Sequence, residues 1–229
     1  MAKQKNANND PLKVDEALAT SETFLLKYKN IFLGVVVGVI VIVCAVLGYK
    51  NFISEPREQK AQEALFKGQA YFSNDEYALA LNGDSLGYTG FLKIADKYGS
   101  TKAGKLANAY AGICYAQLGQ YEDAVKYLDK FSAKDYFITP ALLGTVGNCY
   151  AQLGQLDKAA ATLTKAANQA DSQSLSPIYL IQAGQILEKL GKNAEAVEAY
   201  KTIKSKYPNS YQAMEIDKYI ERASLKAKN

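Results

Sequence analysis

Gly112-Ile-Cys-Tyr-Ala-Gln-Leu-Gly-Gln-Tyr-Glu-Asp-Ala124 recurs as Gly147-Asn-Cys-Tyr-Ala-Gln-Leu-Gly-Gln-Leu-Asp-Lys-Ala159, 35 residues on. A third copy runs Gly184-Gln-Ile-Leu-Glu-Lys-Leu-Gly-Lys-Asn-Ala-Glu-Ala196. Self-similarity at about 34 residues, with small residues at fixed offsets, marks a repeat built of two helices and a turn. One such unit cannot bury its apolar face alone. Stacked units can, and they present an extended binding surface rather than a catalytic cleft.

Each recurring letter has a physical task. Gly112, Gly147 and Gly184 pair with the late alanines Ala124, Ala159 and Ala196 where the two helices of a unit cross. A larger side chain there would separate the helices. Gly119, Gly154 and Gly191 stand at the turn, where glycine can end the first helix. Tyr115, Tyr121, Tyr150 and Tyr200 are expected to fill the space between units. This is the letter pattern of the tetratricopeptide repeat. Gly154 to Gly191 is 37 residues, so Asp171 to Pro177 is expected to absorb an insertion as a loop, with Pro177 in the next first turn. A degenerate repeat comes before the three. Phe91, Ile94, Tyr98 and Gly99 mirror Tyr200, Ile203, Tyr207 and Pro208, with a partner helix over Glu58–Phe72 and an insertion at Asn82–Gly87. Tyr211 to Lys226 reads as a polar capping helix. The expected fold class is all-α. It is a tetratricopeptide solenoid of about four helical hairpins plus a cap over residues 58–226, behind one N-terminal transmembrane helix.

That helix is Ile31 to Tyr49, nineteen residues without a charge. At ~1.5 Å per residue it reaches about 28 Å, close to the thickness of the hydrocarbon core. The run is too long for a secretory signal, and no small-x-small site follows it. Cys44 raises a lipoprotein signal, but Val43 stands where a small residue is needed, so a retained anchor is the better reading. Residues 50–57 read as a linker and residues 1–30 as a cytoplasmic leader. In the leader, Asp10-Pro11 suits a helix start, and Val14, Leu18, Leu25 and Tyr28 share a stripe. An amphipathic juxtamembrane helix and an unstructured tail both fit. Lysines flank both ends of the span, so charge barely sets orientation. The short leader favours an N-terminus inside and the repeat domain outside the cytoplasm. Gly34, Gly38, Ala45 and Gly48 lie near one face of the span, where small residues allow another membrane helix, or a second copy, to approach; the ordinary glycine frequency of membrane spans is the alternative reading.

Composition bounds the chemistry. The 229 residues contain no histidine and three cysteines, which removes Ser-His and Cys-His catalysis and the commonest metal ligand. No phosphate loop, nucleophile elbow or paired metal motif is present. The expectation is therefore no enzyme, cofactor or metal. Cys114 and Cys149 share an offset in successive repeats. They read as buried small hydrophobes rather than a bridge, because packed helices lie about 8–10 Å apart and a disulfide needs Cα atoms within about 7 Å. Residues 51–229 carry 21 basic and 19 acidic side chains with no basic stripe, which argues against nucleic acid.

In tetratricopeptide repeats, first-helix positions two, five, nine and twelve line the concave face. Here these are Leu106, Ala109, Ile113 and Ala116, then Ala141, Gly144, Asn148 and Ala151, then Ile178, Ile181, Gln185 and Glu188. No arginine or lysine stands among them, so the lysine-asparagine-arginine clamp of chaperone-binding repeats is not expected. A neutral, amide-rich groove would suit an extended peptide. A merely solvated surface, or one covered by the chain's own ends, is the alternative.

The leader's Phe24-Leu-Leu-Lys-Tyr-Lys-Asn30, the Gly-Val-rich span ending Gly48-Tyr49, and Ile94-Ala-Asp-Lys-Tyr-Gly-Ser-Thr101 ahead of regular repeats form one arrangement. It resembles the YfgM-like ancillary subunits of the bacterial SecYEG translocon, and the insertion at Asn82–Gly87 is similar to Bacteroidetes versions. The resemblance implies an inner-membrane anchor, a periplasmic repeat domain, and association with the translocon and a membrane-anchored periplasmic chaperone. An envelope-assembly or cell-division scaffold and a cytosol-facing anchored receptor are the other readings.

Overall fold

The computed structural model describes the backbone of residues 11–131 and 135–228, with side chains from residue 27 onward. The chain forms two units, Met1–Pro56 and Arg57–Asn229. Among the described residues every regular element is helical.

The N-terminal unit is α1, Pro11–Tyr49, followed by a π-helical turn over Lys50–Ser54. Residues 1–10, and the side chains of Val14, Leu18 and Leu25, lie outside the described residues. The apolar stretch of α1 is long enough to cross a membrane, and its most apolar window buries nothing against the protein. Ile31, Phe32, Val41 and Ile42 are each more than half exposed. A core helix of a soluble domain hides such side chains. Among the described residues, a methyl group added at Gly34, Gly38 or Gly48 would meet nothing within 4 Å.

The second unit takes all but the first two residues of α2 (Glu55–Ser73), then α3 (Tyr77–Asn82), α4 (Phe91–Tyr98), α5 (Lys102–Gln117), α6 (Tyr121–Leu128), α7 (Ile138–Gln152), α8 (Leu156–Ala170), α9 (Ser176–Lys189), α10 (Asn193–Lys206) and α11 (Ile216–Ala227). The interval 50–57 is thus helical, with α2 beginning at Glu55. Three hairpins, α5–α6, α7–α8 and α9–α10, follow the three sequence copies. Gly119, Gly154 and Gly191 all take positive φ, at 76°, 71° and 73°. Each is followed by an N–H that reaches back to a carbonyl five residues earlier: Gln120 to Tyr115, Gln155 to Tyr150 and Lys192 to Leu187, all at 2.9 Å. This Schellman closure satisfies carbonyls that the helix end leaves open.

The degenerate first repeat uses the same closure with a different residue. Glu76 N–H donates to the Tyr71 carbonyl at 2.9 Å, and Asp75 holds the left-handed conformation at φ 61°. Its second helix is split. The part before the insertion folds as α3, which the letter pattern did not foresee, and the part after it as α4. Asp84 organises the inserted loop, accepting from the Leu86 and Tyr88 amides at 2.8 Å each and from the Tyr71 hydroxyl. Phe91 and Ile94 are buried, as are Tyr200 and Ile203 of the repeat they mirror.

Thr101 accepts from the Gly104 amide at 2.9 Å, and Glu58 of α2 accepts from the Lys102 and Ala103 amides at 2.7 and 3.0 Å. Two repeats are thereby joined by a carboxylate on the open N–H groups at the start of α5, where the helix dipole also favours negative charge. Between α8 and α9 the Asp171–Pro177 segment turns with Asp171 at φ 40°, and buried Ser176 donates to the Ala167 carbonyl at 2.7 Å. Pro177 lies in the first turn of α9.

Two expectations need revision. The cap is not one helix from Tyr211: a 3-10 turn over Tyr211–Glu215 precedes α11, and Ser210 caps that turn by accepting from the Ala213 amide at 3.2 Å. Of the four tyrosines placed between repeats, Tyr200 is fully buried, whereas Tyr115, Tyr121 and Tyr150 are half-buried. Tyr115 and Tyr150 still pack against the buried core. Cys114 and Cys149 are buried free thiols, and Cys44 is an exposed one.

Candidate protein-binding groove

The first helices α5, α7 and α9 carry the twelve groove candidates, and the structure divides them. Ala141, Asn148, Ile178 and Gln185 are exposed. Leu106, Ile113, Ala116, Ala151 and Ile181 are half-buried. Ala109 and Gly144 do not reach the surface. Ala109 packs in a small core with Leu128, Leu142 and Val146. Gly144 is covered by the ring of Tyr179 from the next repeat, and a methyl added there would lie 2.9 Å from the ring carbon Cζ. Both positions serve stacking between repeats, because a small residue on one helix accepts the bulk of its neighbour.

Glu188 has a different fate. Its side chain is only 6% exposed. Oε1 accepts from the Tyr200 hydroxyl at 2.8 Å and from Arg222 Nη2 at 2.7 Å. Oε2 accepts from Arg222 Nε and Lys226 Nζ, both at 3.1 Å. Burial pushes its pKa up, but the hydrogen bonds from Arg222, Tyr200 and Lys226 outweigh this and hold it at about 2. Burial, and then the neighbouring carboxylate, push the Tyr200 hydroxyl pKa up. Arg222 also lies over the Tyr219 ring at 4.9 Å.

Around this ion cluster opens a cavity of about 530 Å³, lined by Asn148 of α7, by Gln182, Gln185, Ile186, Glu188 and Lys189 of α9, and by Arg222 and Lys226 of α11. Three of the expected groove residues, Asn148, Gln185 and Glu188, come together here. The cations were missed because they stand on the capping helix. One signal was available: Arg222 lies 34 residues after Glu188, one repeat length, so α11 presents the position that a further first helix would. A smaller cavity of about 240 Å³ lies among α6, α7 and α8, with Leu128, Phe131, Leu142, Leu143 and Val146 against Asp129 and Lys165. Among the described residues no three histidine, cysteine or carboxylate side chains converge on a metal-sized site.

Tetratricopeptide-repeat family models match residues 110–135, 141–171 and 179–210. The matched segments fall on α5–α6, α7–α8 and α9–α10 with their flanks. No curated protein matches the chain. The all-helical hairpins, their glycine turns and the matched models agree: this chain carries tetratricopeptide repeats, together with one N-terminal helix long and apolar enough to span a membrane.

Proposed function

We propose that the protein is a membrane-anchored scaffold without chemistry of its own. Its repeat domain holds segments of other proteins against the first-helix face of α5, α7, α9 and α11. The observation that carries this reading is the polar cavity around Asn148, Gln185 and Glu188, which opens on the face where tetratricopeptide repeats generally engage protein partners. The finer assignment follows from the sequence resemblance. The anchor lies in a bacterial inner membrane with the N-terminus in the cytoplasm and the repeats in the periplasm. There the domain assists newly exported proteins beside the Sec translocon, with a membrane-anchored chaperone.

Photo-crosslinking in native membranes tests it, with one probe replacing Val41 in the span and another replacing exposed Gln185 in the groove. Translocon subunits captured by the span probe, with exported proteins or a chaperone captured by the groove probe, support the assignment. Adducts confined to cell-wall or outer-membrane assembly factors would replace it with an envelope-assembly scaffold. Topology is tested with Ser174→Cys in a Cys44→Ser background. Labelling by an impermeant maleimide in intact spheroplasts is expected, and protection there would turn the domain toward the cytosol.

A further inference from the structure

The cavity at the α7–α9–α11 junction is chemically uneven. Its ionisable lining is three cations, Lys189, Arg222 and Lys226, against one carboxylate, Glu188. Glu188 is fully engaged, since both oxygens accept two hydrogen bonds each. It has no lone-pair direction left for an incoming cation. The cations are not exhausted. Lys226 uses one of its three ammonium N–H groups on Glu188, and Lys189 makes no ion pair among the described residues. The unspent capacity on the charged side is therefore donor capacity on positive groups.

The opposite need is present on the same wall. Gln182 Oε1 is buried and, among the described residues, has no hydrogen-bond partner. A buried amide oxygen left unpaired is costly, so it is a standing acceptor for any N–H that enters. Asn148 and Gln185 add exposed amides, each able to donate and accept, as a backbone does. A ligand that matches this wall offers negative charge to Lys189 and Lys226 and an N–H to Gln182. A free inorganic anion has the first and lacks the second. A peptide with a carboxylate has both.

Resting on the reading of this face as a protein-binding groove, we infer that the cavity selects an extended peptide segment bearing carboxylates, its charge met by Lys189 and Lys226 and a main-chain N–H by Gln182. Glu188 acts as an internal counter-charge. It holds Arg222 and Lys226 in place when the groove is empty, so the cations are pre-ordered rather than collapsed on solvent. This site differs from the clamp considered on sequence grounds: its cations come from the end of α9 and from the capping helix α11, and the largely buried Glu188 carboxylate stands between Arg222 and Lys226.

The test uses the full-length protein in nanodiscs and fluorescein-labelled peptides, read by anisotropy. One nonapeptide of Gly, Ser and Ala carries three glutamates and an amidated C-terminus. A second has glutamine in their place. A third is the glutamine peptide with a free C-terminal carboxylate. Selective binding of the first or the third over the second supports the inference and says which carboxylate source the site prefers. Affinity is expected to fall about fivefold in Lys189→Glu, an exposed position that touches no core, and to weaken as salt rises from about 50 to about 300 mM. Gln182→Leu is expected to weaken all binding peptides alike. Equal binding of all three peptides with no effect of Lys189→Glu overturns the carboxylate selectivity while leaving a peptide-binding groove. Absence of binding by all three overturns the inference outright, and the Gln185 crosslink then decides independently whether the face engages proteins.

Discussion

Gly147 faces Leu163 so closely that a methyl group on it would lie 2.7 Å from the leucine Cγ. The same sixteen-residue relationship holds for Gly112 with Leu128, and for Gly184 with Tyr200, where the corresponding distances are 2.5 Å to Cγ and 2.6 Å to the ring carbon Cζ. Glycine on the first helix makes room for the bulk of the second in every complete repeat. Ala124, Ala159 and Ala196, each 0% exposed, leave room from the other side. Gly147→Ala and Ala124→Leu are each expected to cost about 1–3 kcal/mol through overpacking, read by urea denaturation. A variant of either kind as stable as the parent would mean that the helices do not cross there.

Glu58 ties the degenerate repeat to α5 through the Lys102 and Ala103 amides. Glu58→Ala leaves those N–H groups to water, with an expected loss of about 1 kcal/mol, the usual worth of a helix N-cap. Hydrogen exchange at Lys102 and Ala103 should accelerate while exchange in α9 and α10 stays unchanged. Uniform acceleration throughout the domain would contradict a local cap.

Glu188 gives stability a pH dependence of definite sign. Its folded pKa is about 2, below the ordinary value of about 4.3 in an unfolded chain. The contribution is therefore fully present above the unfolded value and is lost as pH falls from about 5 toward 2. In Glu188→Gln that acid slope should be shallower, and the variant should be less stable at neutral pH because Arg222 and Lys226 lose their partner. An unchanged acid slope would remove Glu188 from the titration.

Burial pushes the Cys114 thiol up to about 12 and the Cys149 thiol up to about 11. The nucleophile is the thiolate, so in a Cys44→Ser background neither should react with iodoacetamide at pH 8 until the domain is unfolded. Mass spectrometry of native and denatured samples checks this. Rapid native labelling of either would show that its hairpin opens.

Among the described residues, a methyl group added at Gly34 or Gly38 would meet nothing within 4 Å. Gly34→Leu with Gly38→Leu should reduce recovery of a membrane partner in detergent without moving the melting temperature of the repeat domain, since only interhelical approach in lipid is altered. Unchanged recovery would leave the glycines without a partner role.

The repeats were legible because their requirements are local and steric. A glycine at a turn needs a positive φ, and a glycine at a crossing needs the absence of a side chain, so both leave periodic letters. Asp75 escaped that logic, since it takes the turn conformation of Gly119, Gly154 and Gly191 with a different residue. The α3 helix escaped because six residues beside an insertion carry no period. Offsets alone placed Ala109 and Gly144 in the groove, but a period cannot report how far the Tyr179 ring reaches from the next repeat.

Taken by itself, the sequence determined a helical tetratricopeptide array behind one apolar helix, because those properties follow from spacing and run length. Only the tertiary structure decided which candidates face a cavity and where its charge lies. Arg222 and Lys226 reach Glu188 across 34 and 38 residues, and that contact depends on the docking of α11 against α10. Contacts made by long, flexible side chains from a separate element leave no periodic mark in the chain that forms them.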